Sequence, residues 1–197
     1  VLAGDKQGYR EFCERMLKQF AGTTNLQRAE STCKACLIVP GAVEPSELPL
    51  AVFADALDQG TAPDWFQSWA WIARALVAYR NDDVDQVSPY LQEVWKRKPG
   101  PEGAALAYSI AALDRHRRGD NAGAREALGH VKKLVDEHMS QADTGNYHDW
   151  LIAQILAREA EMLLHGEKTS DTPDNLEANP PPSPERPLSE KTHASED

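Results

Sequence analysis

Along the first 165 residues, apolar side chains recur at helical spacing in eight blocks divided by turn-forming residues, and no block alternates in the strand manner. The first block, about residues 5–20, lines up Tyr9, Phe12, Cys13, Met16, Leu17 and Phe20, with Gly22 as a stop. A second follows Asn25 as cap and carries Leu26, Ala29, Cys33, Cys36 and Leu37 up to Pro40-Gly41. Ser46 is placed to cap a third, with Leu50, Phe53, Ala54 and Leu57 inward and Gly60 closing it. The fourth, about 64–80, is apolar nearly all round (Trp65, Phe66, Trp69, Trp71, Ile72, Leu76, Val77), which predicts burial on most sides and a central position. Pro89 in the fifth block predicts either a late start capped by Ser88 or a bend. The sixth (about 102–118) and seventh (about 121–138) form the cleanest pair. The eighth runs from about 147 to 165, with Asn146 as cap, Asp149 in its first turn and Gly166 as its stop.

Two of these stretches, offset by 37 residues, share one pattern. Trp71, Ala75 and Tyr79 precede an Asn-Asp-Asp turn at 81–83, and Val87, Leu91 and Val94 follow it. Tyr108, Ala112 and His116 precede Gly119-Asp120, and Ala124, Leu128 and Val131 follow. Units of this length cannot bury their apolar faces alone, so the pattern predicts an all-α, right-handed solenoid of stacked helix pairs. The Gly-Asp signal recurs at Gly4-Asp5, with Tyr9, Cys13 and Met16 at matching offsets, so the first helix reads as the second half of a pair. That half-pair, with a start at Val1 instead of Met, predicts a piece of a longer protein.

Composition changes the picture mainly at the end of the chain. Residues 166–197 hold six prolines, no aromatic side chain and almost no large aliphatics, so they are expected to form a disordered tail beside a helical domain at 1–165. The tail carries eight acidic and three basic residues, half of the chain's net charge of −10. Acidity without a basic stripe argues against nucleic-acid binding. No apolar run approaches the roughly 20 residues of a membrane span, so no membrane partner and a cytoplasmic location are expected.

The spacing resembles the tetratricopeptide repeat. Trp71, Ala75, Val94 and Pro99 match in one unit, and Tyr108, Ala112, Gly119, Ala124 and Leu128 in the next, although Asp82 stands at the turn glycine and Val87 at the second-helix alanine. A narrower likeness lies in the order of Gly4-Asp5 with Tyr9-Arg10, Ala35-Cys36-Leu37 with Pro40-Gly41-Ala42-Val43, and His148-Asp149-Trp150-Leu151. These phrases resemble the helical-repeat tails of large bacterial serine/threonine kinase-type or WD-repeat signalling proteins. The resemblance implies a non-catalytic interaction or regulatory module, with any kinase domain upstream and with the parent's own domains or another protein as partner.

The concave side of such an array would present Trp69, Ile72, Leu76, Tyr79, Arg80, Leu113, His116 and Arg117. With Arg80 and Arg117 at its rim, that groove would suit an amphipathic helix with acidic flanks. The competing reading packs the same apolar residues against neighbouring helices. Cys33 and Cys36 supply the one metal-like or redox-like spacing, and the alternative function is a small thiol- or zinc-dependent enzyme using them. Two thiols three apart on a helix are otherwise ordinary core residues, a zinc site needs four ligands, and no cofactor is expected. His148-Asp149 reads as a cap or packing element, because helix neighbours point about 100° apart.

Overall fold

A computed structural model describes residues 4–138 and 147–166, and the regular structure of these residues is entirely helical. The helices are α1 (Lys6–Phe20), α2 (Leu26–Cys36), α3 (Leu50–Asp58), α4 (Asp64–Arg80), α5 (Val84–Lys96), α6 (Pro101–Arg117), α7 (Asn121–His138) and α8 (Tyr147–Leu164), with a 3₁₀ turn at Pro45–Glu47. Side-chain caps set several of the starts. Asp5 accepts a hydrogen bond from the Gly8 amide at 2.7 Å, Asn25 from Arg28 at 2.9 Å, and Asp120 from Gly123 at 2.8 Å. Two of these caps share the spelling Gly-Asp-x-x-Gly, at residues 4–8 and 119–123. Gly4 and Gly119 take the left-handed backbone at φ 78° and 81°. A Cβ at Gly8 or Gly123 would fall 2.2 or 2.1 Å from the capping carboxylate, so glycine there leaves room for the cap.

The turns α4–α5 and α6–α7 are built alike at the 37-residue offset. Asp83 N–H bonds to the Ala78 carbonyl at 3.0 Å, and Asp120 N–H to Arg115 at 2.9 Å. Asn81 and Arg118 amides reach back to Val77 and Asp114 at 2.9 and 3.0 Å. Asp82, at φ 62°, occupies the left-handed position that Gly119 occupies in the other turn. Aspartate tolerates that conformation better than most residues.

Packing follows an even-numbered spine. Helix α2 packs on α4, α4 on α6 and α6 on α8, while α3, α5 and α7 each bridge two successive members. The spine supplies most of the largest fully buried side chains, among them Phe66, Ile72, Leu76, Leu106, Ile110, Leu113, Trp150 and Leu156. Each of these contributes about 1.5–3 kcal/mol on leaving water. Helix α4 touches four others (α2, α3, α5 and α6), as its apolar surround predicts, and α6 is equally central, touching α4, α5, α7 and α8. Ala105, Ala107, Ala111 and Ala112 let neighbours approach α6 closely, and Ser109 lies 2.9 Å from the carbonyls of Ala105 and of Ala153 on α8. In α4 the bulky rings face outward in part: Trp65 is 65% exposed, and Trp69 and Trp71 are half-buried.

Two local expectations change. Ser46 falls in the 3₁₀ turn and caps nothing, because α3 starts only at Leu50. Helix α5 starts at Val84 and runs through Pro89, so of the two alternatives the late start capped by Ser88 does not occur. Its first turn is held from α6, where Arg118 bonds the Val84 carbonyl and the buried Asp114 carboxylate, which Ser88 also approaches at 3.4 Å. The proposed Asn146 cap, and the tail from residue 167 onward, lie outside the described residues. No described helix is long and apolar enough to cross a membrane.

Gly119 tests the turn geometry cleanly, since nothing lies within 4 Å of an added Cβ and only backbone strain is at stake. Gly119→Ala should lower stability by about 1–2 kcal/mol in urea titration. An unchanged midpoint would contradict the left-handed assignment.

Candidate functional site

The residues expected to line an open concave groove are largely interior. Ile72, Leu76 and Leu113 have no exposed surface and Tyr79 is 5% exposed. Helix α8 lies along this side through its packing on α6 and its bonds to α2 and α4. Arg80, expected at a rim, has a side chain only 6% exposed. Its guanidinium makes a two-pronged pair with Glu159 of α8 at 2.6 and 2.7 Å, and donates to the Leu37 and Ile38 carbonyls at 2.9 and 3.0 Å. Arg80 is thus a tether, because α8 supplies the acid that a partner helix was expected to bring. Arg117 lies 3.8 Å above the Tyr79 ring and 2.9 Å from Asp82, and His116 Nδ1 is 2.8 Å from Asn121 Oδ1. Trp69 is half-buried and carries the Lys34 ammonium 4.5 Å over its ring.

That ammonium belongs to a buried charge cluster. Lys34, 3% exposed, lies 2.6 Å from Asp149 Oδ1 on α8 and 2.8 Å from Glu30 Oε1 one turn back on α2. Asp149 turns its other oxygen to the exposed His148 at 3.2 Å, so these sequence neighbours do meet, in the first turn of α8. Burial holds the Glu30 carboxyl above its usual range, with Lys34 opposing. For Lys34 burial acts downward, but the two carboxylates outweigh it and the ammonium titrates above its ordinary value.

Cys13, Cys33 and Cys36 are free and have no exposed surface. Burial pushes the Cys33 thiol up, which disfavours the thiolate that nucleophilic or metal chemistry needs. Tyr9 seals this corner: its hydroxyl donates to the Ala35 carbonyl at 2.7 Å and accepts from the Ile38 amide at 3.1 Å. Among the described residues no group of three or more His, Cys, Asp or Glu side chains is placed to hold a metal ion.

An accessible surface of different character lies where α5 ends and α6 begins. Trp95, Tyr108 and His130 form a ladder across α5, α6 and α7, with ring centroids 4.6 and 4.5 Å apart. They line an open cleft of about 360 Å³ with Lys98, Pro99, Lys133 and Glu137. A second cleft of about 220 Å³ adjoins it, between Trp65, Trp69 and Arg97, and Lys98 and Pro99 form a wall common to both. Lys98 stands in the left-handed region at φ 52°, ahead of Pro99-Gly100-Pro101, so a stiff connection presents this wall.

Comparison of the chain with protein-family models, with curated proteins and with solved structures finds no match.

Sequence reasoning passed over Glu30, Lys34, Trp95 and His130. Glu30 and Lys34 are four apart, the spacing of a helix ion pair, and flank an apolar stripe, which was the available signal. Nothing local pointed to Asp149 as their partner 115 residues beyond Lys34.

Lys34→Met should cost about 3–5 kcal/mol, because it strands two buried carboxylates. Adding Glu30→Gln and Asp149→Asn should recover most of that loss in thermal melts, and a triple variant no better than the single would overturn the cluster's geometry.

Glu30 and Lys34 both hold protons more tightly folded than unfolded, so each makes stability fall as pH rises. The Glu30 window opens near the unfolded carboxyl value of about 4.3, and that of Lys34 near about 10.4. Glu30→Gln should abolish the first decline. As pH rises above about 4, the wild type should lose stability relative to this variant; a relative gain would reverse the sign assigned to Glu30.

Proposed function

We propose that the chain is a non-catalytic protein-interaction module, a solenoid of tetratricopeptide-like helix pairs that takes its partner peptide on the aromatic surface around Trp65, Trp95 and Tyr108. The observation that carries this reading is the pairing of accessible rings with lysines at one end of α4, α5 and α6, where the two clefts meet at Pro99. Rigid aromatic surface gives large contact area at small entropic cost, and interface hot spots are enriched in Trp and Tyr. The buried charged groups, by contrast, are already engaged between helices: Lys34 holds Asp149, and Arg80 holds Glu159.

The 37-residue correspondence between the α4–α5 and α6–α7 turns supports the repeat reading, as does the alternation of spine and bridging helices. In this reading α8 is the closing helix, and it replaces a partner on the concave side. Attachment to a serine/threonine kinase-type signalling protein rests on the order of the short phrases alone. The thiol-enzyme alternative is the weaker one, since Cys33 and Cys36 have no exposed surface.

Selection from a random peptide-display library tests the proposal. Enriched peptides should bind the full chain and lose tenfold or more in affinity, about 1.4 kcal/mol, with Tyr108→Ala and with the surface variant Lys98→Glu/Lys133→Glu. Failure to enrich any peptide, or peptides indifferent to both variants, would remove the aromatic surface as the binding site.

A further inference from the structure

We infer that the occupant of the paired aromatic clefts is a proline-rich segment of this same chain, Pro180–Pro187, which lies outside the described residues. The inference rests on the aromatic surface being a peptide site, as proposed above, and names what fills it.

The chemistry of the segment is the first argument. It reads Pro-Pro-Pro-Ser-Pro-Glu-Arg-Pro, and runs of proline favour the polyproline II helix, which forms no internal hydrogen bonds and has three residues per turn. Such helices dock in grooves lined by aromatic rings and lose little entropy in doing so, because their φ angles are already fixed. The paired clefts match this requirement. Trp95 and Tyr108 line one, Trp65 and Trp69 line the other, and Lys98 and Pro99 stand between them as a wall common to both.

Charge is the second argument. The larger cleft offers Lys98 and Lys133, with His130 beside Tyr108 and Glu137 at one edge; Lys133 and Glu137 form a loose, exposed pair at 4.0 Å that a ligand's charges can replace. The segment carries Glu185 and Arg186 side by side, so its acid can meet the lysines while its cation meets Glu137. The surrounding tail is acidic, with eight acids against three bases over 166–197, which favours approach to the lysine-bearing cleft.

Reach is the third. His138 and Trp150 rings are 6.4 Å apart, and α7 and α8 share a cleft running from Leu128 to Val135 and from Gln154 to Glu161, so α8 returns antiparallel to α7. The end of α8 at Leu164 therefore lies roughly 20 Å along the helix axis from the level of Trp150. The fourteen steps from Gly166 to Pro180 can span up to about 46 Å. The cleft's His130 and Lys133 stand one to two turns before His138, within that reach. A tether of this length supplies an effective concentration of about 1 mM, at which even a contact with a Kd of about 0.1 mM is some nine-tenths occupied.

Competition in the full chain is the test. A synthetic peptide of residues 179–190 is titrated, by fluorescence anisotropy, into the wild-type chain and into Pro181→Ala/Pro184→Ala/Pro187→Ala, whose changes all lie outside the helical domain. Self-occupancy predicts that the triple variant binds the added peptide about tenfold more tightly than wild type. Lys98→Glu/Lys133→Glu, introduced into the triple variant at exposed positions, should weaken binding again by tenfold or more. Equal binding to wild type and triple variant would overturn docking in cis while leaving the surface a proline-peptide site. No binding to either chain, while library-selected peptides still bind, would overturn this inference alone. If library-selected peptides also fail, the aromatic surface itself is not a peptide site.

Discussion

An ammonium group stripped of nearly all its water must be held by charge, and Lys34 is held by carboxylates from opposite ends of the domain. Glu30 lies on its own helix; Asp149 comes from α8, 115 residues further along the chain. A Coulombic pair in a dry site offsets its desolvation only when the geometry is good and the remaining polar atoms are occupied. Here the Trp69 face takes one side of the ammonium, and His148 takes the outer oxygen of Asp149. Displacing α8 would take Asp149 from Lys34 and leave the buried ammonium only Glu30 of its own helix, so the cluster favours the docked position of the last helix.

Arg80 repeats the device one helix further along the spine. Its guanidinium spans from the carbonyls that follow α2 to Glu159 on α8, so one side chain satisfies two carbonyls and a carboxylate at once. Together the two tethers dock α8 against α2, α4 and α6, and Ser109 marks the line where α6 and α8 come within hydrogen-bond distance. The side of the spine that a partner helix was expected to cover is thereby covered by the chain itself. The aromatic end stays accessible, and Trp65 there is 65% exposed.

Much of the fold was legible because it is local. Helix periods, the Asn25 cap and the turn glycines depend on residues within a few positions of one another, and they fall where the pattern puts them. Ser46 misled because a serine ahead of an apolar run is a cap only if the helix starts there, and Pro49 delays the start to Leu50. That α6 is as crowded as α4 was hidden for a related reason. Alanine weighs little on a hydropathy scale, yet small side chains let four helices approach α6 closely. The candidate groove was illegible in a deeper sense. Arg80 on a helix surface carries no mark distinguishing a rim cation from a buried tether, and only the position of Glu159, 79 residues away, decides between them.

The aromatic ladder shows how the same long-range dependence creates an accessible feature. Trp95 lies at the end of α5, Tyr108 at the middle of α6 and His130 just past the middle of α7, so three helices must stack before their rings come within 4.6 Å. Once stacked, the rings need not be covered for the core to hold, because Val94, Ala105 and Ala127 are already fully buried around them. Rings positioned by a core that does not depend on covering them are rigid before any partner arrives. A rigid face of this kind favours a partner that is also stiff, since association then orders few rotatable bonds on either side. Proline-rich chains meet that condition better than helices that must fold on docking, whose ordering entropy is lost at the moment of binding. On the proposed reading, a preference for a stiff ligand would follow from how α5, α6 and α7 pack, and the charges on Lys98, Lys133 and Glu137 would discriminate among stiff ligands by the order of their acidic and basic residues.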